Sequence, residues 1–550
     1  MKNKGKNPFK QQKNMYKTIL LSLAITATAL TSSAQSVVAV EDPTVAKILE
    51  IASKDNQVMN HIDILTGRFG GRLIGSGAYE DATAWLLDQY SRWGIAAHLE
   101  EVGELPVGFN RGPWWGRLHA GGDGMELHFA TPSYTSGTHG TQRGHVMLEP
   151  KSQAEFERNK HKLKGAWVLL DGNRNGFPID KTAAGDSARL VAKAKNDSIS
   201  KENSRLSREA LEKGTYNDFK PIPQEKMPGL FYKEMVEAGV LGFVMSAPLP
   251  IRALYDRPMM NDSTTNFYNL PTQPEVLLDE HQFEKIEQMV KDKRDIQLEF
   301  DIRNHFRLGP IKYYSVVAEI PGTEFPDEYV IVSGHLDAYD VATGAVDCAT
   351  GIGPMLEAAR LLSAAGAKPK RTIRFVGFAG EEFGLYGAKA YVKAHEAELP
   401  KISMMFNRDG GPTPPVGMRV PAAMLEDIKE ATKYVPLINK DYPWEIVTAE
   451  PRVKPTKTGG TDATVFDMEG VPTYGFFDRD FKGYGFDYGE IWHTENDILN
   501  KEIPEYQEHA AVVTAIVALG VANLNHQLSR EGMYKEPEKE PAKDKKKQKK

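Results

Sequence analysis

The sequence predicts an α/β protein with a mixed, mostly parallel sheet flanked by helices and interrupted by an inserted domain. Three observations carry that expectation. From residue 315 onward, apolar runs rich in β-formers alternate with stretches of helical periodicity, the rhythm of strand-helix-strand units. Residues 110–305 have a different texture, with short strands split by a long charged stretch. The 550 residues, 41% hydrophobic and 26% charged, are of ordinary globular composition and long enough for two or three cores at roughly 150 residues each. Overall disorder is excluded.

The chain opens with a basic segment, six Lys and no acid in residues 1–17, followed by an apolar run from Thr18 to Leu30 and the small residues Thr31-Ser32-Ser33-Ala34. This pattern predicts an export signal over residues 1–34 and a periplasmic or secreted protein. The run is shorter than the about 20 apolar residues a bilayer demands, and no other segment comes close, so no membrane span is expected. No cysteine follows it to carry a lipid anchor.

Ala82, Trp85, Leu86, Tyr90 and Trp93 recur at helical spacing, with Gly94 placed to end that helix, and Ala97 to Val102 reads as a short strand. Within 110–305, Gly165 to Asp171 and Val240 to Met245 read as strands, and Lys181 to Lys213 as a solvated helical excursion. Beyond 315 the expected strands are Tyr329 to Ser333, Arg371 to Phe378, Ile402 to Phe406 and Pro472 to Phe477. A helix carrying Ile352, Met355, Leu356, Ala359 and Leu362 lies between the first two, and Ala510 to Leu524, apolar nearly all round, is expected to be buried. Residues 533–550, with eight Lys against four acids and no apolar period, read as a disordered tail.

Charge narrows the partners. The formal net charge is -6, and setting aside the two basic ends leaves the body at -16. A body of that sign repels phosphate backbones, so nucleic acid is not an expected partner. The single cysteine, Cys348, permits no intrachain disulfide and no cysteine-based zinc site, so any metal must use His, Asp and Glu.

Such side chains follow three of the expected strands: Ser333-Gly334-His335, Ala379-Gly380-Glu381-Glu382 and Asn407-Arg408-Asp409. In an open α/β sheet the carboxyl ends of the strands border the ligand crevice, which would bring them together. Asp347 follows His335 across a Gly-containing loop, and His493 lies in Ile491-Trp492-His493-Thr494-Glu495-Asn496-Asp497. Zinc accepts imidazole and carboxylate, and two ions about 4 Å apart can share one carboxylate and one water. Asp347 would bridge, His335 and Asp409 would complete one ion, Glu382 and His493 the other, and Glu381 would take the proton from the shared water. Each fragment alone is weak, because a Glu-Glu pair is usually a solvated helix start. Only the ordered combination is specific.

That combination, with Ser333-Gly334-His335-Leu336-Asp337-Ala338-Tyr339-Asp340-Val341 and Gly344-Ala345-Val346-Asp347, resembles the co-catalytic zinc exopeptidases of peptidase family M28, which include aminopeptidases and glutamate carboxypeptidases. It is closest to the branch of carboxypeptidase Q. The resemblance implies a zinc exopeptidase (phosphorylase/hydrolase-like) fold, two zinc ions per chain, a peptide substrate, and Asp337 as an acid orienting the imidazole of His335. It implies a discontinuous peptidase domain over 35–109 and 306–532, with 110–305 as a protease-associated-like insert. Tyr484 and Tyr488 read either as donors to a tetrahedral oxyanion or as wall packing. Where the family commonly has Asn, Asp or Gly after the bridging Asp, often across a cis peptide bond, this chain has Cys348, readable as a small apolar filler or an oxidation-sensitive neighbour of the ions. Thr461-Asp462 resembles a family motif near the site and receives no role.

The expected reaction is hydrolysis of a terminal peptide bond. Two alternatives stay open: a single-zinc glutaminyl cyclase, against which both His335 and Asp409 count, and an inactive binding protein on the same fold. Serine hydrolysis is disfavoured by the absence of Gly-x-Ser-x-Gly, and a single-zinc protease helix by the absence of His-Glu-x-x-His. Amino- versus carboxypeptidase polarity is left open, with Arg408 and Arg479 as candidate carboxylate anchors. The oligomeric state is open too, a homodimer included.

Overall fold

Hydrophobic patterning turns into two large sheets, of five and eight strands, beside smaller ones. In the computed structural model, which describes residues 40–536 except 174 and 214–217, α1 (Gly77–Arg92) begins where the Ser76 hydroxyl accepts from the Tyr79 N–H at 3.1 Å. It ends just before Gly94, whose φ of 71° suits a residue without Cβ. The chain then enters β1 (Ala96–Leu105) and, after the long intervening region, β2 (Ile311–Ile320) and β3 (Phe325–His335). Next come α2 (Thr350–Ala364), β4 (Arg371–Phe378), β5 (Ile402–Asn407) and α3 (Pro504–Ala522).

These strands form a five-stranded sheet in the order β1-β2-β4-β3-β5. β1 and β2 are antiparallel to their neighbours, while β4, β3 and β5 run parallel. The sheet is thus mixed, and its parallel half carries the site. Val330, Ile331, Ile373 and Phe375 are fully buried, the near-continuous apolar pattern of strands covered on both faces. α2 packs against α3 and β3, and α3 is buried on almost every side, as its all-round apolar pattern predicts.

The expected strand from Pro472 to Phe477 is not part of this sheet. Only Phe476–Asp478 is extended, pairing antiparallel with Pro415–Val420 in a separate three-stranded sheet with Glu445–Thr448. Pro472 offers its carbonyl to the Met405 N–H at 2.9 Å, but it has no N–H to return, and the ladder on β5 goes no further.

Strands between Trp114 and Ile302 build a second, eight-stranded sheet with its own core, in which Trp167 meets Phe300 edge-on at 4.6 Å between ring centroids. The charged excursion is a helix, Ala183–Glu212, capped by the Thr182 hydroxyl, and only Gly185, Arg189 and Asn196 along it are buried. Both sheets lie within the body that begins at Thr44. The expected signal over 1–34 lies outside the described residues. The expected tail is paired at its start, Tyr534–Lys535 lying parallel to Arg452–Val453, and its remainder beyond 536 is also outside them. Among the described residues no helix is long and apolar enough to cross a membrane.

Candidate metal centre

Strand register brings the candidate ligands together. His335, the last residue of β3, is level with Phe378 at the end of β4, and Ser333 is level with Asn407 at the end of β5. Glu381, Glu382 and Asp409 therefore emerge beside His335 at the carboxyl edge. The Asp347 loop starts at Gly344, whose φ of 63° is left-handed and whose added Cβ would lie 2.2 Å from that of Ala338. The peptide bond between Asp347 and Cys348 is cis.

Asp347 faces two imidazoles at once. Its Oδ1 lies 3.0 Å from His335 Nε2, and its Oδ2 lies 3.5 Å from His493 Nε2. On the first side, Asp409 Oδ1 is 3.3 Å from His335 Nε2; on the second, Glu382 Oε2 is 3.0 Å from His493 Nε2. Ligand atoms of His335, Glu381 and Glu382, and of Asp347, Glu382 and His493, form compact groups able to hold an ion. A third group joins His335, Asp409 and Cys348. The buried Cys348 thiol also donates to the Arg408 carbonyl at 3.3 Å.

The protonation chemistry of this cluster fits cations. His335 Nδ1 lies 2.8 Å from the Asp337 carbonyl, an acceptor only, so the ring donates there and a neutral imidazole turns its Nε2 lone pair toward two carboxylates. Either a proton or a metal ion must lie between them. Burial, which works to lower the pKa of His335, is outweighed by Cys348 and the carboxylates, which hold it well above the usual imidazole value. Burial drives His493 down to about 4, which keeps its ring neutral and able to ligate. Burial raises Glu382 and Asp462 strongly and brings Glu381 up to about 10, with neighbouring acids adding to each. Among the described residues, Glu382 Oε1 and both Asp462 oxygens are buried without a protein partner. So many buried acids with so little balancing positive charge make an environment that bound divalent ions would complete.

Asp337 acts otherwise than the resemblance implies. Its main-chain carbonyl orients His335, whereas its carboxylate, 3.9 Å from Nδ1, accepts from the backbone N–H groups of Glu381 at 3.1 Å and Glu382 at 3.2 Å. It fixes the Glu-Glu turn. The two tyrosines also part company. The Tyr488 hydroxyl donates to Asp347 Oδ2 at 3.4 Å, but Tyr484 is exposed, binds Glu505 and stacks edge-on against Tyr506. Tyr484 is not at the site, because the loop turns outward at Gly483 and Gly485, both with positive φ.

Sequence reasoning missed two supports. Arg72, fully buried, donates to the carbonyls of Leu336, Gly70, Thr343 and Gly344 at 2.6 to 3.2 Å and so clamps both ends of the loop between His335 and Asp347. Asp497 Oδ1 accepts from the Val346 N–H at 2.6 Å and the Asp347 N–H at 3.4 Å. Neither the arginine of Gly70-Gly71-Arg72 nor the aspartate at the end of the His493 segment stands in a side-chain pattern that marks it.

Residues 315–517 match the model of the family described as peptidase family M28. Carboxypeptidase Q of Xenopus laevis is 31% identical over 241 residues, 43% of this chain and 46% of that protein. A probable zinc metalloprotease of Pyrenophora teres f. teres (strain 0-1) is 39% identical over 108 residues, 18% of this chain and 23% of that protein. The chain thus spans about half the length of the carboxypeptidase Q it matches. The crystal structure of a peptidase M28 precursor from Shewanella amazonensis SB2B aligns over 88% of this chain and 97% of that one, at 20% identity and a TM-score of 0.54, a likeness of fold. The stretch similar to the model of peptidase family M28, residues 315–517, holds the candidate ligands from His335 to His493, while the Shewanella structure adds a likeness of fold alone.

Proposed function

We propose that the chain is an exported, zinc-dependent exopeptidase that hydrolyses terminal bonds of peptides at a centre of two ions. The observation that carries this is the division of the Asp347 carboxylate between His335 and His493. His335 and Asp409 would hold one ion, Glu382 and His493 the other, and Asp347 both. The names of the matched relatives, carboxypeptidase Q and zinc metalloprotease, support the reading. Residues 110–305 would be the protease-associated-like insert, and the basic, apolar start of the chain supports export.

Zinc, when bound, supplies the positive charge that polarises a scissile carbonyl and acidifies a water. Glu381 would take the proton of the attacking water and return it to the leaving amine. Its backbone is fixed by Asp337, and its carboxyl, kept neutral by burial and neighbouring acids, would ionise once positive charge enters the centre. The Tyr488 hydroxyl, beside Asp347, is placed to donate to the oxyanion that forms at the carbonyl.

Incubating zinc-loaded protein with di- and tripeptides blocked at either end, with products read by mass, tests the proposal. Release of single residues or short fragments from one end supports it. Cyclisation of N-terminal Gln peptides with one ion per chain would favour the cyclase reading instead, and inertness on the whole panel would leave only a binding protein.

A further inference from the structure

The start of α2 and the end of β5 close around one sulfur. The fully buried Cys348 thiol meets the Arg408 carbonyl at 3.3 Å, and a Cβ added at Gly351 would come within 2.5 Å of Sγ and 2.3 Å of that same carbonyl. Only a residue without a side chain at 351 leaves the sulfur its place. The carbonyl is itself fixed. The Arg408 N–H donates to the Ser333 carbonyl at 2.9 Å, and its guanidinium donates to the carbonyls of Thr350 at 3.0 Å and Thr413 at 2.7 Å and pairs with Asp478 at 3.1 Å. Arg408 is thus committed to this frame rather than to a substrate carboxylate, and Arg479, exposed, lies 3.9 Å from Glu445.

The sulfur so held stands beside two candidate ligands. Ligand atoms of His335, Cys348 and Asp409 all lie within 4.8 Å of one another. A separate group faces the same pair: Asp462, fully buried and with neither oxygen partnered among the described residues, has His335 and Asp409 as the charges that act on it most strongly. A thiol that served only as packing would stand among apolar side chains. This one stands against an imidazole and acids, one of them without a partner of its own.

The ligand count shows what it could complete. Asp347, His335 and Asp409 would give one ion three protein ligands, and Asp347, Glu382 and His493 would give the other three. A single cysteine cannot build a zinc site alone, but it can complete one begun by His and Asp. Zinc with four protein ligands is a closed site, whereas three leave a position open for water.

We propose that Cys348 is a fourth ligand of the His335–Asp409 ion, so that the two ions are unequal: a thiolate-bound ion that is held tightly and prefers soft metals, beside a Glu382–His493 ion that stays open and exchangeable. Ligation releases the thiol proton to solvent, and the sulfur gives its electron pair to the ion in place of its hydrogen bond to the Arg408 carbonyl. The inference rests on the two-ion reading and adds a ligand which that reading leaves out.

Wild type is measured first. X-ray absorption at the zinc edge of fully loaded protein should show a sulfur neighbour at about 2.3 Å. Cobalt(II)-loaded protein should show a sulfur-to-cobalt charge-transfer band in the near ultraviolet, and Cys348→Ser, which keeps a donor for the Arg408 carbonyl, should lose it. Against a chelating indicator, wild type should release its two ions in separate steps. Cys348→Ser should weaken the tighter ion by at least about tenfold, leave the weaker nearly unchanged and lower the preference for cadmium over zinc. Two bound ions with neither the sulfur neighbour nor the band would overturn the ligand and leave the centre standing, as would identical release from Cys348→Ser and wild type. Protein that takes up neither zinc nor cobalt would defeat the two-ion reading itself. Should the variant not fold, the zinc-edge spectrum of wild type decides.

Discussion

Glu495 and Ile251 exchange two hydrogen bonds, Glu495 N–H to the Ile251 carbonyl and Ile251 N–H to Glu495 Oε1, each 2.9 Å long. Arg252 bridges to Thr494, and its guanidinium lies over the Trp492 ring at 4.8 Å. Between these contacts sits His493, a non-glycine residue at φ 60°, a conformation of order 1 to 3 kcal/mol above its alternatives that persists only where its surroundings fix it. Residues remote in sequence from the peptidase sheet thus brace the loop that carries one candidate ligand. Glu495→Ala should keep the fold and weaken zinc binding by about tenfold, read by competition with a chelating indicator. Unchanged affinity would remove the brace from the account.

His128 ties the brace to pH. Its Nε2 lies 2.7 Å from Glu495 and its Nδ1 3.4 Å from Asp279; burial lowers its pKa, but the two carboxylates outweigh that and raise it. A raised imidazole pKa contributes stability that is fully present below the ordinary histidine value and lost as pH rises through the folded value. His128→Gln should therefore lower the melting temperature more at pH 6 than at pH 9. Equal losses at both would mean that the ion pairs contribute nothing.

Glu381→Gln keeps size and hydrogen bonding but cannot carry a proton between water and amine. Turnover should fall by roughly 10²- to 10⁴-fold at parental zinc content. Parental turnover would show that another group is the base.

Arg72→Met would leave four loop carbonyls, those of Gly70, Leu336, Thr343 and Gly344, without their donor. The variant should lose at least about 3 kcal/mol of stability, seen as a lower urea midpoint at similar slope. A shift under about 1 kcal/mol would mean that water replaces the guanidinium.

What the sequence reveals follows from how local each signal is. The ends of β3, β4 and β5 were legible because apolar runs mark strands and the parallel arrangement fixes where their ends meet, so His335, Glu382 and Asp409 could be placed together without coordinates. Arg72 and Asp497 were not, because their partners are main-chain groups of loops far away in the chain, which no side-chain pattern records. Pro472 to Phe477 has strand composition, but its proline cannot donate to the ladder. Asp337 reads from sequence as a supporting acid, but motif spacing does not tell its carboxylate, which holds the Glu381 N–H, from its own carbonyl, which faces His335. Tyr484 and Tyr488 differ by one turn of loop, and only the fold separates the one against Asp347 from the one against Glu505.

The most direct test is anomalous diffraction at the zinc edge from crystals of zinc-loaded protein. The account predicts two peaks per chain about 4 Å apart, with Asp347 ligating both, His335 and Asp409 on one, and Glu382 and His493 on the other. A single peak, or two that Asp347 does not join, would contradict it.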